Sequence, residues 1–419
     1  MIGSIWPESE AGDSVKPIMW GVVGLVMVST AAGCGSLTAQ GPRSVPLAVI
    51  SYDSSIKSVG TAWPSAAARW SPSGRQFAFS VNPQTGTAIV GLTASLRTRQ
   101  EQLGPGRHIV ALTAHYAIVA SASDRRDWLY PLIGNRLENP VAWNAPTDTW
   151  QTWVQTRQGP AIVTGGYHSQ KAALTESTGD RIPLSGSQVF VSPDGKYGAV
   201  TGGTRLSRNV ASPGAFAPSR YQPSPVTTPI TVWNFDAITP RPMVTIHLPA
   251  VHLPKAAGGA LVGYLEFSPN EQYLAVLVTG NDGVGPKLVG KTFIYEVSSG
   301  ELVGTAPYGN GMMWALDSQG LWLGTPLPQG QGRDRLVNIH GATLWTWPDG
   351  RSQGVVTPVS GQALVVVHRG HLAVWNKNRG FTSLAHLRTY PPNTAVQAPG
   401  GAGILMNVGG EMLYWGAKS

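Results

Sequence analysis

The chain contains very little cysteine and little charge. Only one of its 419 residues is a cysteine, so no disulfide can form within the chain. Charged residues make up 12%, and long runs of Glu, Lys, Ala and Leu without Gly or Pro are missing. Because long amphipathic helices need such runs, the composition argues against a helical fold.

Turn-forming and aromatic residues are abundant instead. The chain has 51 Gly and 33 Pro, spread along its whole length, and 15 Trp. Gly and Pro mark turns, whereas aromatic and β-branched residues favour the half-buried surface of a β-sheet. The composition therefore predicts an all-β protein in which many short strands are joined by tight connections.

The formal net charge is +8. The first 33 residues contain Glu8, Glu10, Asp13 and Lys16, so a chain cut before Cys34 carries +10. This charge favours anionic surfaces such as lipid headgroups. No run of Lys or Arg is longer than two, and no known nucleic-acid motif accompanies the charge. We therefore expect no nucleic-acid partner.

An apolar stretch of signal-peptide length lies near the start of the chain. Residues 18–28 read IMWGVVGLVMV, and small residues follow up to Gly33 and Cys34. A membrane-spanning helix needs about 20 apolar residues, so this stretch fits an export signal better.

The segment Ala31-Ala32-Gly33-Cys34 resembles the lipobox of bacterial lipoproteins. The resemblance implies a signal peptide over residues 1–33, cleavage before Cys34 and a diacylglyceryl group on its sulfur. It also implies a flexible tether over residues 34–44 and a place on the extracytoplasmic face of the cell membrane. Two features depart from the pattern, namely Ala31 and the acidic leading region, and a signal-anchor helix with an incidental cysteine stays open.

One strand–turn–strand pattern occurs three times. Residues 71–79, 192–200 and 268–276 begin with Ser-Pro, continue through a turn and resume as an aromatic or small apolar run. In each repeat an apolar or aromatic residue precedes the serine. Pro at the strand end loses no ladder hydrogen bond, and Ser-Gly or Asp-Gly provides turn conformations. Each repeat therefore predicts a β-hairpin.

These repeats resemble the SPDGK-type repeat of WD-like and TolB-type β-propellers. The resemblance implies one ring of four-stranded blades. Five weaker turns, each followed by an apolar run, lie near residues 113–115, 159–160, 317–320, 360–361 and 400–401. Successive turns are roughly 36 to 49 residues apart, which is the length of one blade. The spacing predicts eight blades, and seven remains open if one weak turn is spurious.

Two further features complete the predicted ring. The gap between Gly195 and Asn270 is long, and its Pro- and Ser-rich part, residues 203–228, is interpreted as a loop insertion in one blade. Only two strands remain after Gly401, so we expect residues 45–52 (VPLAVISY) to pair with them and close the ring. Residues 45–419 are then a single domain.

Catalytic and metal-binding patterns are weak in this sequence. The nine histidines include His368 and His371 in one predicted hairpin, without a neighbouring Cys, Asp or Glu. No Gly-x-Ser-x-Gly motif is present. We therefore nominate no catalytic residue, metal ligand or cofactor site.

The tryptophans divide into two groups. Trp143, Trp150 and Trp153 lie within eleven residues, partly in a predicted loop, and form a possible binding patch for a sugar or a peptide. Others lie in predicted strands and are expected to pack between blades: Trp70, Trp233, Trp314, Trp322, Trp345, Trp375 and Trp415.

Two classes of function follow. The first is a monomeric binding or scaffolding module, anchored to membrane lipid through Cys34, that engages an envelope protein, a peptide or a cell-wall glycan. The second is an enzyme of the hydrolase, lactonase or quinone-dependent dehydrogenase type, with its site at the central channel. The missing catalytic set favours the first, although fold alone does not decide function.

Overall fold

The computed structural model describes most of the chain from residue 56 onward. The described residues are 56–121, 126–143, 150–165, 172–202, 224–225, 229–249, 261–281, 288–307, 309, 311–324, 334–346, 352–359, 362–367, 371–376, 378, 380–386 and 394–416. The proposed signal peptide, Cys34, the tether and residues 45–52 lie outside them.

Regular structure in these residues is β, apart from one 3-10 turn at Pro399–Gly401. The strands of the first half are β1 Lys57–Thr61, β2 Arg69–Trp70, β3 Gln76–Asn82, β4 Thr87–Leu92, β5 Thr98–Gln102, β6 Arg107–Leu112, β7 Tyr116–Ser121, β8 Asp127–Ile133, β9 Arg136–Leu137, β10 Val141–Trp143, β11 Trp150–Thr156, β12 Gly159–Gly165, β13 Ala173–Glu176, β14 Arg181–Pro183, β15 Gln188–Val191, β16 Tyr197–Thr201 and β17 Ser224–Pro225.

The second half continues in the same way. Its strands are β18 Ile230–Asn234, β19 Arg241–Ile246, β20 Leu261–Phe267, β21 Tyr273–Asn281, β22 Leu288–Glu296, β23 Leu302–Pro307, β24 Gly311–Trp314, β25 Gly320–Gly324, β26 Arg335–Asn338, β27 Thr343–Thr346, β28 Ser352–Val359, β29 Gln362–Val367, β30 His371–Asn376, β31 Gly380–His386, β32 Thr394–Gln397, β33 Gly403–Val408 and β34 Glu411–Gly416.

These strands pair antiparallel into eight sheets, six with four strands and two with five. In chain order the sheets are blade 1 (β2–β5), blade 2 (β6–β10), blade 3 (β11–β14), blade 4 (β15, β16, β18, β19), blade 5 (β17, β20–β23), blade 6 (β24–β27), blade 7 (β28–β31) and blade 8 (β32–β34 with β1). We call the first full strand of each blade the inner strand. The sheets confirm the all-β propeller.

The blades form a closed ring because each one packs against the next. A hydrophobic cluster lies at every junction, including the junction between blades 8 and 1. The seven tryptophans expected to pack between blades are all buried, as the sequence predicted. Burial of apolar faces on both sides of each sheet is the main force that holds the ring together.

Ring closure uses an N-terminal strand, as expected, but a later one than residues 45–52. β1 pairs with β34, in the register Lys57 with Tyr414 and Thr61 with Glu411. It becomes the outer strand of blade 8, whose other three strands come from the carboxy-terminal part of the chain. The first and last parts of the described chain therefore share one sheet.

The three Ser-Pro repeats build the same turn between an inner strand and the second strand. The serine hydroxyl accepts a hydrogen bond from the amide five residues later, at Ser71, Ser192 and Ser268, with distances of 3.0 Å in each case. The serine amide donates back to the carbonyl of that same residue. The amide and the hydroxyl of each turn serine are therefore both satisfied within the turn.

The two faces of the ring have different connections. The turn face carries the connections from each inner strand to the second strand and from the third strand to the next strand of the same blade, and all are two to six residues long. The loop face carries the connections from second to third strand and from one blade to the next. Here residues 202–229, 247–260 and 325–334 form connections of 28, 14 and 10 residues. The first of these contains the insertion predicted at 203–228.

Candidate functional site: the channel and its two faces

The inner strands are fastened to each other near the turn face by side chains. Trp70 Nε1 in blade 1 donates to the carbonyl of Val396 in blade 8, at 3.0 Å. Trp314 Nε1 in blade 6 donates to the equivalent carbonyl, that of Glu266 in blade 5, at 2.9 Å. Both indoles are fully buried. A buried tryptophan usually finds a partner for its N–H, and here that partner is a backbone carbonyl of the preceding blade.

At the position of Trp70 and Trp314, blade 8 has the amide side chain of Gln397 instead of an indole. Gln397 Nε2 donates to the carbonyl of Trp314 at 3.0 Å and to Thr357 Oγ1 at 2.8 Å. One side chain therefore joins blades 6, 7 and 8. Hydrogen bonds in such a buried place are shielded from water, so each adds to the rigidity of the ring.

On the turn face the turns also contact one another directly. The amide of Asp194 donates to Glu271 Oε1 at 2.8 Å, and the amide of Asn270 donates to Ser318 Oγ at 3.0 Å. The amide of Gly400 donates to the carbonyl of Pro269 at 2.9 Å. These bonds join turns of blades 4, 5, 6 and 8 directly.

Two of these residues occupy a strained backbone conformation. Glu271 and Ser318 have φ values of +63° and +58°, whereas the equivalent turns of blades 1 and 4 have Gly74 and Gly195. A non-glycine residue pays a steric cost there. In both cases its side-chain oxygen accepts an amide from the preceding blade, which compensates that cost.

Glu271 lies in an unusual electrostatic environment. Burial raises the pKa of its carboxyl well above the ordinary value, and the neighbouring Asp194 adds to the effect. Burial lowers the pKa of Lys196, whereas Tyr197 and, to a smaller extent, the same two carboxyls raise it, and the net effect is a rise. A carboxyl with this shift is protonated at a higher pH than usual.

Two buried charges stand at equivalent positions of inner strands, two residues before the turn serine. Arg69 in blade 1 is 6% exposed, and Glu266 in blade 5 is 3% exposed. Neither Arg69 Nε and Nη1 nor Glu266 Oε2 has a hydrogen-bond partner. Burial lowers the pKa of Arg69 to about 10. Burial raises the pKa of Glu266 to about 8, although a hydrogen bond with the Trp314 backbone lowers it.

The sequence analysis did not nominate either residue. A signal was present, because in two of the three Ser-Pro repeats a charged residue precedes the apolar one, as in Arg69-Trp70-Ser71 and Glu266-Phe267-Ser268. A charge inside a strand that is buried on both faces is uncommon. Such a charge is a candidate for function.

The long loop-face connection of blade 4 extends to the inner strand of blade 5, next to the channel. Its two-residue strand β17 pairs with Leu261 and Val262 at the start of β20. In blade 5 this places β17 on the channel-facing edge of the inner strand. A segment that leaves blade 4 therefore adds a strand to blade 5.

The structure places two members of the predicted aromatic patch together. Trp143 in β10 and Trp153 in β11 lie edge to face, with ring centroids 4.9 Å apart. Trp153 is 6% exposed and packs with Ala111, Ile118 and Ile162 between blades 2 and 3, while Trp143 is partly buried. Trp150 begins β11. Binding of a sugar or peptide by these three residues stays a prediction.

A groove of about 380 Å³ lies between the outer parts of blades 1 and 2. Arg107 lines it, donates to the carbonyl of Leu103 and to Tyr130 Oη, and stands 4.0 Å from the centre of the Trp128 ring. Arg136 in the same groove pairs with Glu138 at 3.2 Å. Both guanidinium groups are therefore already engaged.

Within the described ranges no three His, Cys, Asp or Glu side chains gather as a metal-binding group. The part of the chain with described structure also contains no helix of sufficient length and apolarity to cross a membrane.

Comparison with known proteins shows similarity in structure alone. No protein family matches the chain, and no curated protein matches it. The propeller of Dos1 is 10% identical, with a TM-score of 0.47, and covers 86% of this chain and 94% of its own. The C-terminal WD40 domain of Sif2 is 12% identical, with a TM-score of 0.45, and covers 87% and 99%. Hydrazine synthase of Kuenenia stuttgartiensis is 12% identical, with a TM-score of 0.41, and covers 84% and 95%. The assignment as a β-propeller rests on the strand pairing described above.

Proposed function

We propose that the protein is a membrane-anchored binding module that presents the loop face of its propeller to an envelope protein, a peptide or a cell-wall glycan. The observation that carries this proposal is the unequal length of the connections on the two faces. Long loops on a rigid scaffold are where binding residues concentrate. The turn face, in contrast, consists of short turns bonded to each other.

The direction of β1 supports an orientation in which the loop face points away from the membrane. Thr61 pairs with Glu411, and the amide of Ala62 donates to the carbonyl of Gly410 in the loop-face turn of blade 8. Lys57, at the other end of β1, therefore lies towards the turn face. A tether that begins at Cys34 and enters the domain at Lys57 approaches from that side. With a lipid on Cys34, the membrane lies below the turn face and the loop face points away from it.

The experiment uses the full-length protein in membranes and one change on each face. Replacement of residues 205–222 by a short Gly-Ser linker shortens the longest loop-face connection. Arg75→Ala alters an exposed side chain of the turn face and is the control. The binding assays are sedimentation with purified cell-wall sacculi and crosslinking to envelope proteins in intact membranes.

We expect the linker variant to lose at least tenfold in binding while the midpoint of thermal unfolding stays unchanged, and the control to bind as the wild type does. Full binding by the linker variant, or loss in the control alone, contradicts the loop face as the binding surface. Wild-type protein that retains neither sacculi nor a crosslinked partner contradicts the binding module itself.

The anchor has a separate test. Cys34→Ala removes the only thiol. If the sulfur carries lipid, the wild-type protein has the greater intact mass by one or more acyl groups and partitions into membranes, whereas the variant does not. Equal mass together with equal partition excludes lipidation at Cys34.

A further inference from the structure

We propose that the turn face of blades 1 and 2 lies directly against an anionic lipid membrane. In this contact the Ile133 side chain enters the boundary between headgroups and acyl chains, and Arg75 and Arg97 bind lipid phosphates. The proposal deepens the function proposed above and rests on its anchor at Cys34. A lipid anchor holds the domain near the membrane, but only a contact made by the domain itself fixes its orientation.

Three turns of blades 1 and 2 form one continuous surface. The amide of Thr93 donates to the carbonyl of Arg75 at 2.9 Å, which joins the two turns of blade 1. Gln76 Nε2 donates to the carbonyl of Gly134, at the tip of the β8–β9 hairpin of blade 2. We call residues 71–75, 93–97 and 133–136 the contact patch.

The contact patch presents both cationic and apolar side chains to solvent. Arg75 and Arg97 are exposed. Ile133 is 66% exposed and pairs with Arg136 across the hairpin. Arg136 is bonded to Glu138 at 3.2 Å, so this pair adds no net charge. An exposed isoleucine beside two arginines has the chemistry of surfaces that bind at the headgroup level of a membrane.

Charge separates this part of the turn face from the rest. The turns of blades 8, 1 and 2 contain no Asp or Glu in residues 71–75, 93–97, 113–115, 134–135 and 398–402. The turns of blades 4, 5 and 6 contain Asp194, Asp236, Glu271, Glu301 and Asp317. An anionic membrane attracts the first group of turns and repels the second. Ile238 in blade 4 is 74% exposed as well, but Asp236 lies two residues before it.

The tether enters the domain beside the contact patch. Lys57 is exposed at the turn-face end of β1, the outer strand of blade 8. Leu96 packs against the hydrophobic cluster between blades 8 and 1, so the turn that carries Arg97 lies at this junction. The 23 positions from Cys34 to Lys57 span at most about 80 Å. Contact at the patch needs the least of this length, because the chain leaves the domain on that side.

The test measures how deep position 133 lies in a membrane. The full-length lipidated protein with Ile133→Cys has one free thiol, which carries a nitroxide spin label. It is reconstituted into vesicles of phosphatidylcholine with phosphatidylglycerol, or of phosphatidylcholine alone. Accessibility of the label to oxygen and to a water-soluble nickel complex reports its depth. Val141→Cys is the matched control, because Val141 is 63% exposed in the outer strand of the same blade.

In vesicles with phosphatidylglycerol we expect the label at position 133 to be shielded from the nickel complex at least fivefold more than the label at position 141. Without the anionic lipid the difference falls below twofold. Arg97→Glu reduces the shielding at least twofold, since each cation near such a surface contributes about fivefold in affinity. Arg241→Glu, which changes an exposed arginine at the turn-face end of blade 4, leaves the shielding unchanged.

Two results overturn the proposal. One is equal exposure of the two labels in vesicles with phosphatidylglycerol, and the other is an equal loss of shielding in Arg97→Glu and Arg241→Glu. Failure of the anchor is recognised separately, by an intact mass without acyl groups. In that case the same labels are measured in the Cys34→Ala background with the same vesicles. Shielding of position 133 that depends on anionic lipid then upholds the patch, and its absence overturns it.

Discussion

The turn face and the loop face of this propeller lie at opposite ends of the same strands, yet they differ in the connections that join those strands. On the turn face each connection has at most six residues, and the turns of blades 4, 5, 6 and 8 share hydrogen bonds. On the loop face the connections range from two residues to 28. The loop face also has bonds at the ring closure, where Asn407 Nδ2 donates to the carbonyls of Trp63 and Ala66 at 2.7 and 2.9 Å. The long connections, however, occur on the loop face alone.

The difference shows how a propeller separates stability from binding. The inner strands run towards the turn face, where indole and amide side chains join neighbouring blades. A change in a loop on the opposite face does not disturb these bonds.

The largest effect is expected for Trp70→Ala. Trp70 is fully buried, contacts Phe77 edge to face and bonds to Val396 across the ring closure. Loss of such a side chain costs about 3–5 kcal/mol of unfolding free energy. Trp63→Ala on the loop face, where the indole is 37% exposed, should cost less than about 1 kcal/mol. Urea unfolding measures both, and equal costs would remove the distinction between the faces.

The second effect is a pH dependence from Glu266. Its folded-state pKa of about 8 exceeds its ordinary value of 4.5. The folded protein binds the proton of Glu266 more tightly than the unfolded chain does. The contribution of this proton to the free energy of unfolding is therefore fully present below pH 4.5 and is lost as the pH rises through 8. The wild type should therefore lose on the order of 3 kcal/mol relative to Glu266→Gln between pH 5 and pH 8.

The control for this pH dependence is Glu411→Gln, an exposed residue at the loop face. Its stability should follow the wild-type profile across the same pH range in urea unfolding. A parallel profile of Glu266→Gln and the wild type would show that Glu266 is not held in a buried, shifted state.

The third comparison inserts one Gly-Ser pair into each face. Within the Ser71-to-Arg75 turn, the insertion breaks the bond from Gln76 to Ser71 Oγ and should cost about 1–3 kcal/mol. Within residues 205–222 the longer loop should cost a few tenths of a kcal/mol or less. Calorimetric unfolding of both variants measures the difference, and a tolerant turn face would contradict its structural role.

The smallest comparison removes single hydroxyls. Ser268→Ala takes away the buried acceptor of the Tyr273 amide, which should cost about 1–2 kcal/mol. Thr85→Ala removes the hydroxyl of an exposed residue at the loop face, which bonds to the Asn82 carbonyl at 3.3 Å and to Thr87 Oγ1 at 2.8 Å. Thr87 keeps its bond with Gln102, so this change should cost less than about 1 kcal/mol. Chemical unfolding resolves the pair, and a reversed order would argue against the serine caps.

The sequence predicted most of the fold because the turn between the inner and second strands has local chemistry. Ser71, Ser192 and Ser268 satisfy their own backbone within five residues, so the pattern is visible along the chain. The closing strand was placed too early, at residues 45–52 instead of Lys57–Thr61. Pairing between distant strands depends on partners far away in sequence, and no local residue marks it.

The candidate sites were harder to predict for the same reason. Arg69 and Glu266 are single charges within apolar strands. Whether such a charge has a partner depends on the side chains of the neighbouring blade. The Trp143 and Trp153 rings could be recognised as close in sequence, but their edge-to-face contact between blades 2 and 3 could not.

The amino-acid sequence by itself determined an all-β chain of repeated hairpins, because turn chemistry and strand alternation act over a few residues. The tertiary structure decided which strand closes the ring, which face holds the turns together and where charge is buried without a partner. These features arise from contacts between residues up to hundreds of positions apart, such as Trp70 with Val396. Only the closed ring brings such residues together.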